Sequence, residues 1–111
     1  MLNFDVQTRS EGSSVLVTVR GDLDLQVAAR VADEISQAEA AQPQLLVLDL
    51  SGLSFMDSSG MGVVAAAHAR AADAGRRFVV VRPPYSVRRA FELSNFNEML
   101  EIVEDAQSVF P

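Results

Sequence analysis

Leu45-Leu46-Val47-Leu48-Asp49-Leu50 is a nearly continuous apolar run broken by one carboxylate. It reads as a central strand buried on both faces. Residues 51–57 read as a loop. Its Leu53, Phe55 and Met56 are apolar, so they are expected to tuck inward. A helix then runs to Ala74, and Gly75 stands where a left-handed C-terminal cap is expected. Phe78-Val79-Val80-Val81 is a second buried strand, stopped by Pro83-Pro84. Strands separated by helices imply parallel pairing with right-handed crossovers, and so an α/β fold.

The same reading extends to both ends of the chain. Leu2 to Thr8 alternates weakly and reads as a first strand, with a turn over residues 9–14 around Gly12. Val15-Leu16-Val17-Thr18-Val19 is a β-branched strand ending at Arg20-Gly21. The short connection makes these two strands an antiparallel hairpin. Asp24 is placed to cap a helix whose inner face is Ala28, Val31, Ala32, Ile35 and Ala38. After the Pro pair, Ser86 is expected to cap a short helix with Val87, Ala90, Phe91 and Ser94 inward. A last strand is expected over residues 99–103. Asp105 would cap a short tail helix that turns Val109 and Phe110 inward. The expected order is β-β-α-β-α-β-α-β-α: a mixed sheet flanked by helices, with residues 1–111 as a single domain.

The chain has 111 residues, which suits one domain, and 49% are hydrophobic, which argues against disorder. It has no cysteine, hence no disulfide, thiolate zinc site or cysteine nucleophile. No apolar segment is long enough to span a membrane. Met1-Leu2-Asn3-Phe4-Asp5 has no basic region followed by an apolar one, so no secretion signal is expected and the protein is read as cytoplasmic. The net charge of −6 argues against nucleic-acid binding. That charge is unevenly spread. The balance is −6 over residues 1–60, +5 over 61–89 and −5 over 90–111, and every basic residue is Arg. For any single Arg the better reading is a solvated surface; together they suit a charged protein partner.

The chemistry concentrates in Leu53-Ser54-Phe55-Met56-Asp57-Ser58-Ser59-Gly60-Met61-Gly62-Val63, which joins a central strand to a helix. Asp and Ser before a helix are good caps, and that alone could account for Asp57 and Ser58. Two glycines are harder to dismiss, because each costs about 1 kcal/mol against alanine inside a helix. They suggest that another group approaches the backbone there. An aspartic-protease motif needs Asp-Ser/Thr-Gly twice, and here an extra Ser intervenes in a single copy. A Ser–His–Asp hydrolase is excluded because the only His, His68, lies about ten residues along the same helix, roughly 15 Å from Ser58. His68 is expected to pack with Met61, Val64 and Ala72. Gly60-Met61-Gly62-Val63-Val64-Ala65 matches a dinucleotide fingerprint, with Arg82 as a 2′-phosphate reader, but the first glycine stands too far from the strand. The remaining reading is a phosphorylation switch. A phosphate on Ser58 would meet free N–H groups and the helix dipole, and would add about −1.5 to −2 charges beside Asp57, with Asp22 and Asp24 near if the Gly21 turn lies at the same end.

These residues carry a resemblance. The chain resembles a STAS domain, specifically the free-standing anti-sigma factor antagonists of bacteria. Gly21-Asp22-Leu23-Asp24 is similar to the family's Gly-Glu-Leu-Asp, and Leu46–Ser51 to its central strand. Asp57-Ser58-Ser59-Gly60-Met61-Gly62 is similar to its signature Asp-Ser-Ser/Thr-Gly-Leu-Gly. Val87-Arg88-Arg89-Ala90-Phe91-Glu92-Leu93-Ser94 is similar to its third helix. Met61 replaces the usual Leu, a volume-conserving change. Asn95 stands where Gly is frequent.

The resemblance implies a binding module that is not an enzyme and carries no cofactor. Its unphosphorylated form would bind an anti-sigma factor that is also a serine kinase, freeing the sigma factor for transcription. The kinase would phosphorylate Ser58 and so end binding, and a PP2C-type phosphatase would reset it. Asp57, Ser59, Gly60 and Gly62 would shape the loop. Asp24, Asp57, Ser58 and Met61 would meet the partner. Within the fold the alternative is a non-switching STAS subunit of a phospholipid-transport ABC system.

Overall fold

The computed structural model describes residues 3–111. The start of the expected first strand at Leu2, and the opening of the stretch read for a secretion signal, lie outside the described residues. Five strands form one sheet in the order β1-β2-β3-β4-β5: Phe4–Glu11, Ser14–Leu23, Leu45–Met56, Arg77–Val81 and Glu101–Val103. β1 pairs antiparallel with β2, and the other neighbours are parallel. Helices α1 (Leu25–Ala40), α2 (Ser58–Ala74), α3 (Tyr85–Leu93) and the single turn α4 (Phe96–Met99) fill the crossovers. A 3₁₀ turn, Ala106–Ser108, closes the chain, with Asp105 accepting from the Ser108 N–H at 3.0 Å.

The alternation of β2, β3 and β4 sorts the core into two layers. Val15, Val17, Val19, Leu46, Leu48, Leu50, Phe78 and Val80 face the helices, where Val31, Ile35, Val64, Ala67, Val87, Phe91 and Phe96 cover them. Leu16, Val47, Val79 and Val81 face the other way and are covered by the tail, through buried Phe110 and its neighbours Ala106 and Val109. The helices therefore share one face of the sheet. In the run quoted first, Leu46, Leu48 and Leu50 are buried under the helices and Val47 under the tail, while Leu45 and Asp49 are half-buried, so the second face is covered only in part.

Local chemistry explains most of the boundaries. Asp24 caps α1, accepting from the Gln26 N–H at 3.0 Å. Gly75 ends α2 at φ 68°, in the left-handed region. Gly21 has φ 91°, and a Cβ there would lie 2.0 Å from the Asn3 carbonyl oxygen, so the close pass of β1 over the end of β2 requires glycine.

Several expectations need correction. The turn over residues 9–14 shrinks to Gly12-Ser13, because Arg9, Ser10 and Glu11 pair with Leu16, Val15 and Ser14. The loop over 51–57 is strand as far as Met56, since Gly52, Leu53, Phe55 and Met56 pair with Arg20, Gly21, Asp22 and Leu23. Pro84, not Ser86, precedes α3, and among the described residues no side chain caps it; proline's fixed φ of −61° sets the chain up for the first helical residue, Tyr85. Ser94 is exposed. The last strand begins at Glu101 because residues 96–99 form α4, held by Phe96 edge-on to Phe91 at 5.2 Å. The buried stripe of α2 is Gly60, Val64, Ala67 and Ala71, so His68 is only half-buried and Ala72 is exposed.

Candidate functional site

Three helices begin at the carboxyl end of the sheet, α1 after β2, α2 after β3 and α3 after β4, and one side chain ties the first two together. Asp57 is the N-cap of α2: its Oδ1 accepts from the Ser59 N–H at 2.9 Å and the Gly60 N–H at 3.3 Å. Its Oδ2 accepts from the Leu25 N–H, the first residue of α1, at 3.2 Å. Its own N–H donates to the Leu23 carbonyl at 3.2 Å. One carboxylate thus satisfies orphan N–H groups of both helices and fixes their starts relative to each other.

Ser58 follows as the first residue of α2. It is exposed, and no hydrogen bond holds its hydroxyl among the described residues. Ser59 and Met61 are half-buried, and Met61 packs against the core beside Val63. Val64 is fully buried, so that part of the motif is core. The two glycines differ in kind. A Cβ on Gly60 would meet Leu23 Cγ at 2.7 Å and Met56 Cγ at 2.9 Å, so the close approach comes from the chain's own ends of β2 and β3. That space is filled by side chains and is not open to a pyrophosphate. A Cβ on Gly62 meets nothing within 4 Å, and the residue is exposed.

Asp22 and Asp24 lie at this same end. Asp22 is paired with Phe55 across β2 and β3 and accepts from Asn3 Nδ2 at 3.0 Å. Among the described residues none of Asp22, Asp24 and Asp57 is in an ion pair with an Arg. Sequence reading missed two neighbours, Leu25 at 76% exposure and Phe55 at 49%. Phe55 was expected inward by its apolar character. The strand pairing skips Ser54 between Gly21–Leu53 and Asp22–Phe55, and this bulge turns Phe55 outward while Leu53 and Met56 stay in. Leu25 had a signal, since a residue directly after a cap begins the helix before its inner stripe is established. The result is a surface that brings together an exposed hydroxyl, three carboxylates and two exposed apolar side chains. Among the described residues no group of His, Asp and Glu is placed to hold a metal.

A parallel-rich sheet with its helices on one face and an Asp-Ser-Ser-Gly turn at the start of α2 defines a STAS domain. A family profile described as "Mlab, STAS domain" matches residues 6–104, and the chain belongs to the STAS domain family. Among its relatives is the anti-sigma F factor antagonist of Paenibacillus polymyxa, 27% identical over 107 residues, which span 94% of this chain and 90% of that one. The fold matches the crystal structure of an anti-sigma factor antagonist from Mycobacterium paratuberculosis with a TM-score of 0.86 at 23% identity, over 95% of this chain and 89% of that one. It matches the anti-sigma factor antagonist SpoIIAA in its unphosphorylated form with a TM-score of 0.80 at 22% identity, over 95% and 93% of the two chains.

Proposed function

We propose that this STAS domain is an anti-sigma factor antagonist that works as a binding module, with Ser58 as its phospho-acceptor. The carrying observation is the contrast at the start of α2: Asp57 is held by two helices while the adjacent Ser58 is exposed and its hydroxyl makes no hydrogen bond among the described residues. The name of the P. polymyxa relative supports the same reading. The docking face would comprise Asp22, Asp24, Asp57, Ser58 and the first turns of α2, with Leu25 and Phe55 as apolar contacts. Its natural complement is a surface with basic groups around an apolar centre. Met61 would contribute mainly by supporting the loop from beneath.

In the unphosphorylated state the domain would occupy an anti-sigma factor and release the sigma factor. The partner, a serine kinase, would bring ATP. The Ser58 oxygen attacks the γ-phosphorus, the bond to the ADP oxygen breaks, and the hydroxyl proton passes to a base on the kinase. The phosphate adds about −1.5 to −2 charges at Ser58, which would face the apolar centre of that complement and not its basic rim, and burying it there unpaired costs several kcal/mol. A PP2C-type phosphatase would hydrolyse the ester and restore binding. A cytoplasmic setting follows from these partners.

The test incubates the protein with ATP and histidine-kinase-like serine kinases from the same genome, then maps phosphate by mass spectrometry. Label is expected on Ser58 and absent from Ser58→Ala. Equal labelling of Ser58→Ala overturns the assignment. Ser58→Asp is expected to weaken kinase binding roughly tenfold or more, equivalent to about 1.4 kcal/mol.

A further inference from the structure

β1 is an outer strand of the sheet, and its outer edge pairs with no strand among the described residues. The Asp22 N–H donates to the Asn3 carbonyl at 2.9 Å, and the pairing continues as Asp5–Arg20, Gln7–Thr18 and Arg9–Leu16. In an antiparallel pair the hydrogen-bonded positions alternate, so odd-numbered residues of β1 turn their N–H and C=O toward β2. The backbone groups of Phe4, Val6, Thr8 and Ser10 therefore point out of the sheet. No hydrogen bond to them from outside β1 and β2 is made among the described residues. An exposed edge of eight residues is a template for another strand.

We infer that this edge pairs with β1 of a second copy of the chain, in the antiparallel register centred on Gln7. Outward groups must face outward groups, so the two numbers of each opposed pair add up to an even number. Three such registers use most of the strand, centred on Val6, Gln7 or Thr8. The register centred on Thr8 sets Asp5 against Glu11 of the other copy, like charges face to face. The register centred on Val6 sets Asp5 against Gln7 and leaves Arg9 opposite Asn3. The register centred on Gln7 sets Asp5 against Arg9 and, by symmetry, Arg9 against Asp5, while Val6 and Thr8 exchange backbone hydrogen bonds. The Asp5–Arg9 positions are the non-hydrogen-bonded ones, where opposed side chains lie closest.

The local surroundings permit these contacts. Asp5, Gln7 and Arg9 lie on the face of the sheet opposite the helices. Arg20 approaches Asp5 only at 3.8 Å with both side chains more than half exposed. Arg9 stacks over the Phe110 ring at 5.1 Å and has no ion pair among the described residues. The charges that ordinarily blunt an edge are here set to repel in a neighbouring register and attract in this one. Two strands alone bury less than a long-lived dimer needs, so the association is concentration-dependent.

Sedimentation equilibrium of the whole chain over a concentration series tests this. The average mass is expected to climb from the single-chain value of 12.0 kDa toward twice that. Asp5→Arg and Arg9→Asp should each lose the association, and Asp5→Arg combined with Arg9→Asp should regain it, with circular dichroism confirming that each variant is folded. In the associated form the amide hydrogens of Val6 and Thr8 should exchange more slowly than in dilute protein. A single-chain mass at every concentration overturns the proposal. So does association of folded Asp5→Arg equal to the parent's, or failure of the folded double variant to recover.

Discussion

The two glycines of the loop show how differently one residue type can act. Gly60 is a packing necessity, because Leu23 and Met56 fill the place of its side chain. Gly60→Ala is expected to destabilise the fold by about 1–3 kcal/mol, the usual cost of overpacking. Gly62 is exposed with open space around it, so Gly62→Ala should raise stability by up to about 1 kcal/mol through helix propensity alone. Gly62 lies one turn after Ser58 on the same side of α2. If that side meets the partner, Gly62→Ala should weaken binding while it raises the melting temperature; thermal melts and a binding titration of the same variants separate the two effects. From sequence both glycines suggested a nearby group, and the suggestion holds for Gly60 alone. The group is Leu23, remote in sequence and brought there by the β2–β3 pairing.

At the scale of elements, the short strands are held by charge as well as by backbone bonds. Arg77, the first residue of β4, donates from Nε to Glu101 of β5 at 2.9 Å. The hydrogen bond from Arg77 holds the Glu101 carboxyl below its ordinary range, and Glu101 in turn raises the guanidinium. A carboxyl with a lowered folded pKa stabilises the fold above the unfolded value, and that contribution fades as pH falls through the folded one. Both side chains are about half exposed, so solvent screens the pair and its contribution is small. Glu101→Gln should therefore lower stability slightly at neutral pH, and parent and variant should converge in acid; urea melts at the two pH values measure this. The strands themselves were visible in the sequence as apolar runs. Their ends were not, because the bulge near Ser54 and the extra turn at Phe96 depend on what lies across the sheet or core.

Across the whole molecule the uneven charge turns out to be mostly internal balance. Arg70 and Arg76 share Glu39, Arg77 takes Glu101, and Arg82 takes Glu104. The Arg-rich segment thus pairs with the acids of the tail and of α1, and leaves Asp22, Asp24 and Asp57 as the acidic end. Glu39 is the critical partner. Its side chain is 12% exposed, that of Arg76 only 8%, and Arg76 Nε is buried without a hydrogen-bond partner. Glu39→Ala strands a mostly buried guanidinium and should cost on the order of 3 kcal/mol. Glu104→Ala, at a side chain 72% exposed, should cost less than about 1 kcal/mol. For a domain of this size the first shift amounts to more than 10 °C in Tm, at roughly 4–8 °C per kcal/mol, which calorimetry resolves easily.

The sequence by itself determined the α/β class, the order of the strands and of the three main helices, and the caps at Asp24, Asp57 and Gly75. These rest on periodicity and on contacts a few residues apart, which one stretch of chain carries alone. Tertiary structure decided that the helices share one face, that Asp57 also holds the start of α1, that Phe55 turns outward beside Leu25, and that the arginines neutralise Glu39, Glu101 and Glu104. Each of these depends on groups far apart in the chain meeting across the sheet. Strand register and packing set those meetings, and neither is written in any local run of residues.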